Sequence, residues 1–160
     1  MAESRARMAL QLFDRAFQAQ KQGDLELAIQ LYKQSIELHP TAEAYTYLGW
    51  TYHFLGRTEE AIAECKNAIA ADPSLGNPYN DIGAYLLELG RHEEAIPWLE
   101  KATVSQRYEA YHFAWFNLAR AYLRMELYSR AKSCLEQALD IEPEYRSAQE
   151  ALDRVRRLIQ

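Results

Sequence analysis

Apolar residues recur along this chain at helical spacing, and no stretch alternates with period two. Leu48, Tyr52 and Leu55 fall three or four positions apart, as do Ile82, Leu86 and Leu89, so each set forms one stripe on a helix. Such stretches come in pairs separated by a short turn, the sequence form of an antiparallel helix pair. Punctuation agrees: Gly23, Gly56 and Gly90 fall at the turn inside a pair, while Pro40, Pro73 and Pro143 fall between pairs. The last segment, "YRSAQEALDRVRRLI" (145–159), places Ala148, Leu152, Val155 and Ile159 on one stripe with charge elsewhere. It reads as a helix that caps the preceding pair.

The pairs are copies of one unit. Read from the turn, they are "GDLELAIQLYKQSIELHP" (23–40), "GRTEEAIAECKNAIAADP" (56–73), "GRHEEAIPWLEKATVSQR" (90–107) and "ELYSRAKSCLEQALDIEP" (126–143). Three are preceded by "AYTYLGWTYHFL" (44–55), "PYNDIGAYLLEL" (78–89) and "AWFNLARAYLRM" (114–125); "LQLFDRAFQAQKQ" (10–22) is a degenerate version. A period in this range fixes the architecture. The chain is expected to be all-α, with about nine helices in a single domain, 1–160. Repeats cover 9–41, 42–75, 76–111 and 112–144, and the capping helix 145–159.

Small residues mark where helices cross. Gly49 facing Ala61, and Gly83 facing Ala95, would let one helix sink into the other, with Leu48, Tyr52, Ile62 and Cys65, or Ile82, Leu86, Ile96 and Leu99, filling the space around the contact. Two irregularities interrupt the pattern. "SQRYEA" (105–110) is a short insertion with Arg107 where a proline is expected, and Pro97 lies inside a second helix, which it should bend or weaken. Asn77, followed by Pro78, reads as an N-cap.

These residues resemble the tetratricopeptide repeat, whose pattern is W-x₂-L-G-x₂-Y, then alanine, an aromatic and proline. The second unit matches with Tyr45, Leu48, Gly49, Tyr52, Gly56, Ala61, Ala68 and Pro73. The third matches with Tyr79, Ile82, Gly83, Gly90, Ala95 and Ala102, and the fourth with Trp115, Leu118, Ala119, Tyr122, Ala131, Ala138 and Pro143. The first keeps Ala16, Gly23, Ala28, Tyr32 and Pro40. The resemblance implies a right-handed α-solenoid whose first helices line a concave groove for an extended peptide or a partner helix.

Projected on that scheme, the groove residues are Phe13 and Phe17; Tyr47, Trp50, His53 and Phe54; Asn80 and Asp81; and Phe113, Phe116, Asn117, Arg120 and Arg124. Aromatics and arginine supply much interface energy, and asparagine can pair with both groups of a peptide backbone. Some of the aromatics would instead fill the space between adjacent repeats. Chaperone-tail-binding members of the family clamp a C-terminal carboxylate with lysines, asparagines and an arginine. The corresponding positions here are Phe13, Phe17, Tyr47, Asn77 and Asp81, and Asp81 would repel a carboxylate. The expected partner therefore exposes apolar side chains, with an acidic stretch opposite Arg120 and Arg124.

Composition narrows the function further. A formal charge of −5 disfavours a nucleic-acid partner, and Arg146, Arg154, Arg156 and Arg157 alternate with Glu144, Glu150 and Asp153 as a solvated helix face does. No apolar run approaches the roughly 20 residues of a membrane span, and the N-terminal stretch has no apolar core of a secretion signal. Cys65 and Cys134 sit in apolar helical stretches and read as reduced, buried side chains, which suits a cytoplasmic location. His39, His53, His92 and His112 lack metal-ligand spacing, and no phosphate loop or nucleophile motif occurs. Glu59-Glu60 and Glu93-Glu94 begin second helices, where carboxylates meet the helix dipole. The expectation is a non-enzymatic adaptor without metal or cofactor. Alternatives are a chaperone for secretion or pilus-type assembly subunits and a self-assembling structural protein, so a homo-oligomer stays open.

Overall fold

The computed structural model describes residues 1–160, and all its regular elements are helices: α1 (Ala2–Lys21), α2 (Leu25–Leu38), α3 (Ala42–Phe54), α4 (Thr58–Ala71), α5 (Asn77–Glu88), α6 (His92–Thr103), α7 (Tyr111–Arg124), α8 (Tyr128–Ile141) and α9 (Arg146–Ile159). Their internal contacts divide the chain into two compact units, Met1–Pro78 and Tyr79–Gln160. No helix is long and apolar enough to cross a membrane.

The turn inside each pair is built the same way. Amides of Asp24, Arg57, Arg91 and Leu127 donate back to the carbonyls of Ala19, Tyr52, Leu86 and Tyr122 at 2.8–2.9 Å, the long bond of a Schellman motif. The residue before each must adopt a left-handed conformation. Gly23, Gly56 and Gly90 do so at φ 85°, 77° and 77°, and Glu126 occupies the fourth such position at φ 59°. Starts are fixed by different means. Asp24 and Thr41 accept from the amides of Leu27 and Ala44, whereas Arg57 and Arg91 form two-point ion pairs with Glu60 and Glu94 one turn into α4 and α6.

In the first unit, Tyr32, Leu48, Tyr52, Ile62 and Cys65 are buried around Ala16, Ala28 and Ala61. The expected crossing at Gly49 is present: a Cβ there would lie 2.9 Å from the Ala61 carbonyl oxygen and 3.3 Å from Cys65 Sγ. In the second unit, Ile82, Leu86, Leu99, Leu118, Leu135 and Val155 form the core with Ala95, Ala114, Ala119 and Ala131, each large side chain contributing about 1.5–3 kcal/mol by its burial. Cys65 and Cys134 both lie buried in these cores, outside any disulfide.

Several expectations are corrected. At Gly83 the nearest neighbour is the Leu99 side chain rather than Ala95: a Cβ there would lie 2.3 Å from Leu99 Cγ. Leu55, Leu89 and Ile159 are 37%, 41% and 45% exposed, because each sits at the end of its helix, where the apolar stripe has already turned away from its partner. Helix α1 starts at Ala2 rather than near residue 9, a stretch where Arg5, Arg7 and Ser4 obscure the apolar period. Helix α5 begins at Asn77 itself, with Pro78 in its first turn, so Asn77 is not a flanking cap. Helix α6 runs through Pro97 unbroken; that residue lies on the exposed side.

Candidate partner-binding site

The first unit carries an aromatic ridge organised around Tyr47. Its ring meets Phe13 at 5.3 Å and Phe17 at 5.6 Å, both edge-on, and stacks on Tyr32 at 6.2 Å. Tyr32 is itself pinned, its hydroxyl donating to Gln20 Oε1 at 2.6 Å, and burial pushes that hydroxyl's pKa up. From Tyr47 the ridge continues along α3 to Trp50 at 5.9 Å, and from Trp50 to Phe54 at 5.0 Å. Phe13, Phe17, Tyr47 and His53 are half-buried, while Trp50 is 39% and Phe54 54% exposed. The ridge thus has a packed base and an open crest. Beside the base, a cavity of about 510 Å³ is bordered by Ala6, Leu10, Phe13, His39 and Glu43.

Polar side chains dominate the corresponding part of the second unit. Asn117 on α7 donates to Asn80 Oδ1 on α5 at 2.9 Å, and Arg120 donates to Asn117 Oδ1 at 3.0 Å. Both asparagines are buried, so these bonds offset a desolvation cost that unpaired amides would carry. Asn117 therefore spends part of its bonding capacity inside the protein. Arg120 and Arg124 are exposed on α7. Asp81 is only partly accessible by area, and desolvation pushes its carboxyl up to about 7.

Two tyrosines complete this region that the sequence pattern did not single out. Tyr108, from the insertion between α6 and α7, lies close enough to Asp81 for the carboxylate, after burial itself, to raise its pKa. Tyr145, at the start of α9, is surrounded by His112, Phe113 and Phe116 at 5.4, 5.6 and 5.1 Å. Phe113 and Phe116 thus share their faces with the capping helix, though Phe113 stays 44% exposed. Tyr108 is the one aromatic of the insertion, and that was its available signal; Tyr145 precedes the capping stripe and had none.

No group of three or more histidine, cysteine or acidic side chains is placed to hold a metal ion. The paired acids do what helix starts require: Glu60 and Glu94 bind arginines, and the Arg57 bond holds the Glu60 carboxyl below its ordinary range.

Comparison with known proteins bears on this arrangement. Two family profiles described as tetratricopeptide repeat match residues 13–75 and 74–144. The chain is 29% identical over 117 residues to Tetratricopeptide repeat protein 21B of Mus musculus, which covers 73% of this chain but 9% of that protein. It spans less than a tenth of that relative's length. Among solved structures, PilW, described as a widely conserved type IV pilus biogenesis factor, superposes with a TM-score of 0.84 at 19% identity over 94% of this chain and 70% of its own. YrrB, described as a repeat protein with an unusual peptide-binding site, superposes with a TM-score of 0.73 at 22% identity over 92% and 75%. At these identities the likeness is one of fold.

Proposed function

The chain belongs to the tetratricopeptide repeat family, and on that premise we propose that it is a non-enzymatic interaction adaptor that binds a segment of another protein. The observation that carries this reading is the crest of the aromatic ridge. Trp50 and Phe54 expose large apolar rings 5.0 Å apart on a base of packed aromatics that fixes their positions. Rigid aromatic anchors lose little conformational entropy when they bind. The partner segment brings apolar side chains to this ridge, as a peptide or one face of a helix. In the second unit, Arg120 and Arg124 offer charge to an acidic stretch, and no lysine or arginine replaces Phe13, Phe17 or Tyr47 to clamp a chaperone-tail carboxylate. That the four repeats act as one domain, free of cofactor, metal and nucleic acid, is part of the proposal.

A displayed peptide library selected against the protein tests it. Selected clones should carry paired apolar residues and lose at least tenfold in affinity for a Trp50→Ala, Phe54→Ala variant of unchanged melting temperature. Equal binding by the variant refutes the ridge as the site. Light scattering across concentration separates this reading from self-assembly, which requires a mass that grows.

A further inference from the structure

Arg120 fixes the sense of the polar chain in the second unit. A guanidinium carries only donors, so the Asn117 atom 3.0 Å from Arg120 Nη1 is the side-chain oxygen. The Asn117 nitrogen must then point at Asn80, and the Asn80 atom it meets at 2.9 Å must be an oxygen. One arginine thereby orients two amides in a row. Both asparagines are 8% exposed, and turning either one over would set a buried donor against a donor.

This order has a chemical consequence. Both amide oxygens are engaged from within, and the groups left over are donors: Nδ2 of Asn80, the second hydrogen on Asn117 Nδ2, and Nε and Nη2 of Arg120. No other hydrogen bond or ion pair of the protein reaches them, and Asn80 Nδ2 keeps access to solvent. Arg120 stands exposed at the open end of the chain. Arg124, one turn further along α7, is exposed as well but has no such tether.

We propose that Asn80, Asn117 and Arg120 form a subsite for one acceptor-only group, the carboxylate of an aspartate or glutamate side chain in the bound segment. The inference rests on reading this face of the second unit as a binding face, and it deepens that reading by selecting Arg120 over Arg124 as the arginine that meets the acid. A guanidinium held by Asn117 has given up part of its freedom before the ligand arrives, so binding costs less. Asn117 is here a positioning residue. Aligned donors ending in a positive charge favour an anion over a neutral amide, whose bonds to the same donors are about half as strong. Asp81 follows Asn80 by one residue, about 100° around α5, so its carboxylate leaves the helix in a different direction from the chain.

The test is a titration of the ¹⁵N-labelled full chain with acetyl-Ala-Glu-Ala-amide and with its glutamine analogue, each up to tens of millimolar. The resonances followed are the side-chain amides of Asn80 and Asn117 and Nε of Arg120. The glutamate peptide should shift all three and bind about fivefold more tightly than the glutamine peptide, because bonds to a charged acceptor are the stronger. Arg120→Gln, which keeps a donor for Asn117 but no charge, should remove that preference, and Arg124→Gln should leave it. Asn117→Asp, which still accepts from Arg120 but places an anion in the chain, should remove it too. Equal response to the two peptides, no response at these residues, or a preference that survives Arg120→Gln overturns the proposal. Acetyl-Ala-Ala-Ala with a free C-terminus separates the two sources of a carboxylate: binding as tight as that of the glutamate peptide would assign the subsite to a chain end and overturn it as well. Trp50→Ala should leave the glutamate preference in place, so failure of the aromatic ridge and failure of this subsite are distinguishable.

Discussion

The side chain of Leu99 on α6 occupies the space where Gly83 on α5 would carry a Cβ, which would lie 2.3 Å from Leu99 Cγ and Cδ2. Leu99 is fully buried, so it cannot retreat into solvent. Gly83→Ala gains up to about 1 kcal/mol of helix propensity and forces a repacking that costs about 1–3 kcal/mol. The expected net outcome is a loss of roughly 1–2 kcal/mol in urea denaturation. A double-mutant cycle with Leu99→Ala should show coupling between the two sites; strictly additive effects would remove the contact from the explanation.

Glu126 holds φ 59° where the other three turns have glycine. A non-glycine residue in this region costs about 1–2 kcal/mol, and glycine returns about 0.4–1 kcal/mol of that through unfolded-state entropy. Glu126→Gly should therefore stabilise the protein by roughly 0.5–1 kcal/mol. The reverse exchange, Gly56→Ala, should destabilise it by a similar amount. Thermal melts of both variants check the pair, and a lower melting temperature for Glu126→Gly would contradict the assignment.

The base and the crest of the aromatic ridge should respond differently to truncation. Tyr47 touches Phe13, Phe17, Tyr32 and Trp50, so Tyr47→Ala should cost about 2–4 kcal/mol through lost burial and the space left behind. Phe54→Ala removes a ring that is 54% exposed and should cost under about 1 kcal/mol. Equal losses in guanidinium unfolding would mean that the crest is structural.

Asp81 links stability to pH. Its folded pKa, about 7, lies above the ordinary value of 3.8, so the folded state holds a proton that the unfolded state releases. Its contribution is fully present below about pH 4 and is lost as pH rises through 7. Asp81→Asn should therefore raise stability at pH 8, by roughly 2 kcal/mol after allowance for the carboxyl's partial exposure. The difference between wild type and variant should shrink as pH falls toward 4. A difference independent of pH would assign the effect to packing.

Sequence pattern carried the fold further than the site. Repetition of glycine, alanine and proline located every helix pair, because those residues answer to constraints that act locally: a left-handed turn, a close crossing, a missing donor. Tyr47, by contrast, belongs to both alternatives at once. Its position in α3 marks it as groove-facing, but only the arrival of Phe13 and Phe17 from α1 makes it the base of a ridge instead of its crest. Gly83 shows the same limit, since Ala95 and Leu99 lie one turn apart on the same helix face and only the crossing geometry selects between them. Asn80 and Asn117 are 37 residues apart, and their pairing depends on how α5 and α7 dock. Tyr108 escaped the repeat pattern because it lies in the insertion, the one stretch without a counterpart in the other copies.

The two buried cysteines give each compact unit its own internal clock. Cys65 lies under Gly49 in the first unit, and Cys134 sits in the core of the second, where burial pushes its thiol up to about 11. Neither sulfur can react with an alkylating reagent until its surroundings open. The rates at which the two thiols are modified thus time the breathing of each half separately, with no label added to the chain.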